Sequence, residues 1–486
     1  MTEAKTRQKT ARLSGNLGVG SIVFMVIAAA APLTVIGGNV PLAIGIGNGV
    51  GAPFGFLIAS LILLVFAVGF VAMTPHVKEA GAFYSYISQG LGLRAGMGSA
   101  YLALVTYTAI QAGVYGYMGW AVNDLVVHYG GTAHPWWMYS VLAIAAVAIL
   151  GYRHIDLSSR ILGIALVLEI GVVLIMNFSI LSEGGAQGVS LVSFEPKTAF
   201  THGLGMSVLF ALTGFIGFES TAIFRDESRN PEKTIPRATY LAVIIIGVFY
   251  TFSAWALITG AGYTRSVAVA NDTLNGTGNM LLDIARQYNG ALMSNVIQVL
   301  LISSIFACVL SFHNVLSRYQ YVLAGQGFMP KFLSAVHGEH KSPCNASLAQ
   351  SATALLLITV CAACKLQPLT QVFGYMAAVS TVGIVLLMLL TSVAVVAFFK
   401  KNTALAAGKH WRTRIIPAIS VLALSVSLIM VLSNFTTLTG GSMFISTLLA
   451  IIPVAALVTG YSVINKRQIL VASTNTCPCQ HRLMYN

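Results

Sequence analysis

Ala28-Ala29-Ala30-Ala31-Pro32-Leu33-Thr34-Val35-Ile36-Gly37-Gly38 decides how this chain folds, because it interrupts an apolar run, Leu17–Ile46, that is otherwise a single helix. Proline removes a backbone donor and clashes with the preceding turn, and it pushes the residue before it out of helical geometry. At the first position of a new helix the same proline is comfortable. The economical reading is two half-helices that meet near Ala31–Thr34. The amides of Leu33, Thr34 and Val35 then lack helical acceptors, at the positive end of a helix dipole.

Working outward, the surroundings of that stretch are hydrocarbon. Of 486 residues, 56% are apolar and only 8% charged, with a mean hydropathy of +0.81. No soluble core hides that much apolar surface, so composition excludes a soluble enzyme, a disordered chain and a peripheral protein with one anchor. Runs of about 20 apolar residues number twelve: Leu17–Ile46, Gly55–Met73, Ala95–Val127, Trp136–Tyr152, Ser159–Leu181, Phe200–Phe224, Ala238–Gly260, Ala291–Leu323, Ser347–Cys364, Leu369–Phe399, Ile415–Leu432 and Met443–Ile464. The first, third, eighth and tenth are too long for a perpendicular helix and must tilt, break or extend.

The formal charge of +13 is explained by topology rather than by nucleic acid. With the N-terminus inside, only Lys197, Arg265, Arg286 and Lys365 fall outside, and the other 23 of the 27 Lys and Arg residues fall inside. This is the bias expected of cytoplasmic loops. Both termini are expected to be cytoplasmic, in the cytoplasmic (inner) membrane. The basic stretch Met1–Ser14 reads as a tail without a removable signal peptide.

A second break is expected in Phe210-Ala211-Leu212-Thr213-Gly214-Phe215-Ile216-Gly217-Phe218-Glu219, where two glycines loosen the sixth run just as a charged residue enters it. Carbonyls of Thr213 to Ile216 would lose their donors there and face a cation such as an ammonium group. Breaks in the first and sixth spans occupy corresponding places in two five-helix halves, the sequence pointer to a midplane site in inverted-repeat transporters. The expected division is a tail (1–16), two five-helix repeats (17–181 and 199–399), helices eleven and twelve (413–464) and a second tail (465–486). The last two helices lie outside the repeat and serve packing or assembly of a homodimer. Paired half-helices offer amides on one side and carbonyls on the other, which matches the carboxylate and ammonium of an amino acid.

Lesser signals have plainer readings. Alternating Gly45, Gly47, Gly49 and Gly51 follow no strand, so an exposed turn is expected rather than a nucleotide loop. Cys361 and Cys364 form a CxxC inside an apolar run and are read as buried packing. His337-Gly338-Glu339-His340 and the tail Cys477-Pro478-Cys479 with His481 lack further ligands, and no metal site or cofactor is expected.

With these residues in view, the chain resembles the amino acid–polyamine–organocation permease superfamily, which has the fold of the bacterial leucine transporter. The most specific stretch is Gly214-Phe215-Ile216-Gly217-Phe218-Glu219-Ser220 followed by Asp226-Glu227-Ser228-Arg229-Asn230-Pro231-Glu232-Lys233-Thr234-Ile235-Pro236-Arg237-Ala238. Ala80-Gly81-Ala82-Phe83-Tyr84-Ser85-Tyr86 and Gly325-Gln326-Gly327-Phe328-Met329-Pro330 agree with it. The resemblance implies an all-α integral membrane protein in which a substrate carboxylate meets the amides around Pro32, Leu33 and Thr34. It also implies that the amino group meets carbonyls near Ala30, Thr213 and Ile216. This chain departs from the family at Pro32, which donates nothing, and at Thr213, where some relatives place an aromatic gate. Phe210 or Phe215 is the expected replacement, and the missing donor leaves room for an amine without a carboxylate.

Two carboxyl groups lie deep in apolar runs, Glu169 in the fifth and Glu219 in the sixth, with Asp124 near the outer end of the third. A charge at the bilayer centre costs about 2.5–3.5 kcal/mol on insertion scales, so each is expected to be paired or functional. Glu219 either bonds freed amides at the second half of the sixth helix or contacts substrate and takes part in coupling. Glu169 falls where some proton-coupled relatives place a lysine, and it either couples transport to an ion or bonds hydroxyls on a facing helix. His313 in the eighth span reads as a packed helix–helix donor. The expectation is an amino acid importer driven by proton symport with alternating access, Na+ being the other candidate ion. A polyamine or amine importer of the same fold is the alternative. A membrane sensor would carry a soluble domain, and an enzyme would need a nucleophile–base set or a metal cluster that the sequence lacks.

Overall fold

In the computed structural model the chain is described over residues 17–77, 82–152, 159–337 and 342–463. Among these, the single β feature is an isolated bridge between Leu17 and Ser228. The first span is Val19–Ala30 followed by a helix that runs from Pro32 through Val35–Asn39 and Val40–Leu42 into Ala43–Asn48, where Gly47 leaves helical geometry at φ −90° and ψ −137°. The second is Ala52–Met73, the third Leu93–His128, the fourth Trp136–Tyr152 and the fifth Ser159–Ser182. The sixth is Leu204–Gly214 and Phe218–Glu227, and the seventh is Pro231–Ala261. The eighth lies within Met280–Gly325, the ninth is Cys344–Ala363, and the tenth is Pro368–Phe373 joined to Gly374–Lys401. Ile416–Ser433 and Met443–Ser462 complete the set.

Nine described stretches are long and apolar enough to cross a membrane, one of them, Val19–His76, holding the first two spans together. The fourth span is a shorter apolar helix. The third falls outside that set for a physical reason. Its 36 residues carry glycine, tyrosine, serine and threonine and are largely buried against other spans. A helix that faces protein on most sides has little lipid to satisfy.

The over-long runs resolve as tilt, extension or breakage. The third continues unbroken for 36 residues, about 54 Å at 1.5 Å per residue. The eighth is cut at Gly290, whose φ of 81° and ψ of 174° are non-helical, one residue before the expected start at Ala291. The first is cut at Ala31, in left-handed geometry with φ 46° and ψ 74°. The sixth is cut between Gly214 and Phe218, with φ 112° at Gly217.

The two broken spans lie side by side with opposite chain direction. The Arg229 amide donates to the Leu17 carbonyl at 3.0 Å, which ties the end of the sixth span to the start of the first. At the other end the Asn48 amide donates to Ser207 Oγ at 3.0 Å, and Asn39 Nδ2 donates to the Phe210 carbonyl at 2.8 Å. Break therefore faces break: a Cβ on Gly214 would lie 3.0 Å from Val35 Cγ1, and one on Gly217 would lie 3.6 Å from Ala29 Cβ.

The alternating glycines are not the exposed turn that was expected. Gly51 is buried and Gly45, Gly47 and Gly49 are partly so, because this turn is pressed between the start of the sixth span, Thr198 before it and the helix Ser266–Asn275. A Cβ on Gly47 would stand 2.2 Å from Ser207 Oγ and 3.0 Å from its backbone nitrogen. The glycines permit a close backbone approach. In the CxxC, Cys361 is buried as expected but Cys364 is exposed, since the ninth helix ends at Ala363. The His337–His340 motif lies partly, and the Cys477–His481 tail wholly, outside the described residues.

Candidate functional site

At the first break the donors and acceptors can be counted one by one. Ala31 closes the first half by donating to the Ala28 carbonyl at 3.2 Å. Pro32 has no donor. The Val35 amide, expected to be free, donates to the Ala31 carbonyl at 3.3 Å, because the new helix completes its first turn immediately. The Leu33 amide faces the Glu169 carboxyl group of the fifth span. An internal carboxylate thus meets the amide at which a substrate carboxylate was expected. The Thr34 hydroxyl donates to Ser304 Oγ at 3.4 Å, and Ser304 donates onward to Glu169 Oε2 at 2.7 Å. The Ala30 carbonyl accepts from the Tyr250 hydroxyl at 3.1 Å.

The second break is closed by its own residues. Phe215 donates to the Leu212 carbonyl at 3.1 Å, Ile216 to Thr213 at 3.2 Å and Phe218 to Phe215 at 3.1 Å. The carbonyls of Thr213 and Phe215 therefore keep donors, contrary to expectation, because tight turns replace the lost helical bonds. Gly214 and Ile216 are the carbonyls these turns leave over. Glu219, fully buried, accepts from the Gly217 amide through Oε2 at 3.0 Å and from the Tyr107 hydroxyl through Oε1. Of its two expected roles, this geometry is the bonding of freed amides. Glu219 is not among the residues that line the cavity.

Between the breaks lies a small cavity of about 20 Å³, room for about one water molecule. Of the expected residues, Ala30, Thr34, Val35, Thr213 and Ile216 line it. Pro32, Leu33, Phe210, Phe215, Glu169 and Glu219 do not. Phe210 is fully buried and Phe215 stacks edge-on against Tyr250 at 5.7 Å, so neither ring lines the cavity. The aromatic rings that do line the cavity are Phe312 of the eighth span and Phe373 of the tenth. Asn39 and Cys308 add polar atoms, Ile110 and Val114 form an apolar wall from the third span, and no charged side chain is among the lining residues.

Several of these residues escaped sequence reading. Ser304, Cys308 and Phe312 are spaced by four, one face of one helix, and that polar-to-aromatic stripe was the available signal. Phe373 sits in the wide turn that opens the tenth span, and nothing local marks it. His313 bonds Ser347 Oγ at 2.8 Å, a link between the eighth and ninth helices as expected. Asp124 accepts from Asn279 Nδ2 at 3.0 Å and Gln298 Nε2 at 3.4 Å near the outer end of the third span.

Among the described residues, twelve helical spans, two of them broken opposite one another around a small and mostly apolar cavity, define a multi-pass membrane permease of the broken-helix type. The chain matches the amino acid permease family over residues 21–473, and it belongs to that family. It is 25% identical over 310 residues to a branched-chain amino acid permease of Lactococcus lactis, an alignment covering 60% of this chain and 64% of that protein. It is 23% identical over 316 residues to a serine/threonine exchanger of Bacillus subtilis, covering 64% and 68%. It is 26% identical over 324 residues to a low-affinity putrescine importer of Escherichia coli, covering 63% and 66%. The family and these relatives are permeases rather than enzymes.

Proposed function

We propose that this chain imports a small zwitterionic amino acid across the cytoplasmic membrane by proton symport with alternating access, both termini being cytoplasmic. The observation that carries the reading is the cavity itself. It joins backbone groups of both breaks, contains no fixed charge among its lining residues, and reaches the Glu169 carboxyl through Thr34 and Ser304. A solute with both charges needs no charged side chain to balance it, whereas a diamine would need carboxylates in the wall. The two five-helix repeats would supply the moving parts, the broken spans rocking against the third, eighth and tenth.

Glu169 is the proposed proton carrier, because it is buried, has no cationic partner among the described residues, and is joined through Ser304 to Thr34 of the cavity wall. Uptake by purified protein in proteoliposomes, with a radiolabelled panel of amino acids and putrescine and an imposed pH gradient, tests the whole reading. The expected result is accumulation of a small amino acid that an uncoupler abolishes. Accumulation that follows sodium alone would remove the proton, and uptake of putrescine in preference to every amino acid would replace the substrate. Glu169→Gln is expected to lose gradient-driven accumulation while keeping counterflow, and its retention of accumulation would remove Glu169 as carrier.

A further inference from the structure

The start of the second half of the first span has few free donors. Pro32 has none and the Val35 amide is used within the helix, which leaves Leu33 and Thr34. Amides in that position attract an anion. Glu169 already supplies one from the fifth span, with its Oε2 held by Ser304 at 2.7 Å. The ionisable groups that face Glu169 from the packed helices are the Cys308 thiol of the eighth span and the Tyr250 phenol of the seventh. The first span contributes backbone and the Thr34 hydroxyl, and among the described residues no lysine, arginine or histidine acts on Glu169. Thr34 is also a wall of the cavity. A solute carboxylate that reached this wall would meet a second carboxylate competing for the same helix end.

We propose that Glu169 is a built-in stand-in for the substrate carboxylate, exchanged for it on protonation. In the empty site the ionised Glu169 carboxylate stands against the Leu33 amide. When a proton from solvent adds to the Glu169 carboxyl, the Leu33 N–H···O contact to Glu169 is given up and a contact from Leu33 N–H to the solute carboxylate takes its place. One anion leaves the helix end as one arrives, so the charge there stays at about −1 throughout. Proton and carboxylate then bind as one event rather than at two distant sites. The inference rests on the transport reading above and adds a requirement to it: the solute must carry a carboxylate.

Direct binding to purified protein separates the two. The probes are L-leucine and L-serine with their decarboxylated counterparts, isoamylamine and ethanolamine, titrated from pH 5.5 to 8.5. The expected result is amino acid affinity that weakens by up to about tenfold per pH unit on the alkaline side, the limit for one coupled proton. The amines should not follow that slope. In Glu169→Gln, which holds this position uncharged, the slope should flatten and affinity should be no weaker than that of the unmutated protein at low pH. Equal slopes for acids and amines overturn the exchange, using the unmutated protein alone and so independently of whether the variant folds. A slope that survives in folded Glu169→Gln overturns it too. If that variant loses gradient-driven accumulation but keeps the slope, the transport reading stands and the exchange falls. If none of the four probes binds, the transport reading falls first and the exchange with it.

Discussion

The two interrupted spans look alike in sequence and differ in what completes them. The sixth is closed by a residue two positions beyond its own turn: Glu219 accepts from Gly217, and Tyr107 of the third span locks the other oxygen. The first is closed from far away, by Glu169 of the fifth span through Ser304 of the eighth. A break finished by its own neighbours persists while the neighbours stay folded. A break finished by a distant helix changes whenever that helix moves or its carboxyl changes charge. The sixth break is therefore read as architecture and the first as the working part.

Glu219→Ala gives the largest expected effect on stability. It strands the Gly217 amide and the Tyr107 hydroxyl in a buried environment, at about 1–3 kcal/mol for each unsatisfied group. Thermal unfolding in one detergent at one scan rate should show a large drop, and Glu219→Gln, which keeps an acceptor and the side-chain shape, should recover most of it. Glu169→Gln should unfold close to the unmutated protein. A loss of stability in Glu169→Gln equal to that of Glu219→Ala would erase the contrast between the breaks.

The next effect is conformational. Gly217 holds φ 112° with no heavy atom nearer than 3.6 Å to where a Cβ would be, so Gly217→Ala meets strain without a clash. Residues forced into sparsely populated backbone regions cost of order 1–3 kcal/mol. Ala31 presents the mirror experiment, a residue with a side chain already at φ 46°. Ala31→Gly relieves that strain, about 1–2 kcal/mol, and gives part of it back through the freer unfolded chain. Thermal unfolding is expected to fall for Gly217→Ala and to hold or rise slightly for Ala31→Gly. A fall in both would mean that Ala31 is held by packing rather than tolerated in a strained state.

How much of this was legible follows from which interactions are local. Pro32 announces a break because its ring acts on its own helix, and Gly214 and Gly217 announce the other because their freedom is intrinsic to the residue. Span lengths were legible for the same reason, down to Ala291 following the break at Gly290. Partners were not legible. That the Leu33 amide meets Glu169 depends on two helices 136 positions apart in sequence packing at one depth, and periodicity within one helix carries no such information. The gate failed likewise: Phe210 and Phe215 were chosen for nearness in sequence to Thr213, whereas Phe312 and Phe373 reach the cavity from other spans. The exposed turn expected at Gly45–Gly51 failed because small residues mark close approach as readily as they mark a loop.

The smallest expected effect probes the link between the halves. Tyr250 of the seventh span donates to the Ala30 carbonyl at 3.1 Å, at the last residue of the first half of the broken span. Tyr250→Phe keeps the ring and its edge contacts with Phe56 and Phe215 and removes only the hydroxyl. Hydrogen bonds between membrane helices average about 0.6 kcal/mol, so unfolding should shift barely. The informative readout is transport. If the Ala30 carbonyl is a seat for the substrate's ammonium group, losing the competing hydroxyl should leave amino acid affinity unchanged or tighten it, since the carbonyl then has one donor fewer. If the hydroxyl instead holds the end of the first half in the geometry the ammonium needs, affinity should weaken by more than the threefold that about 0.6 kcal/mol represents. That result would make the first break, like the sixth, a junction fixed in place by its surroundings, and would move the working part to the helices around it.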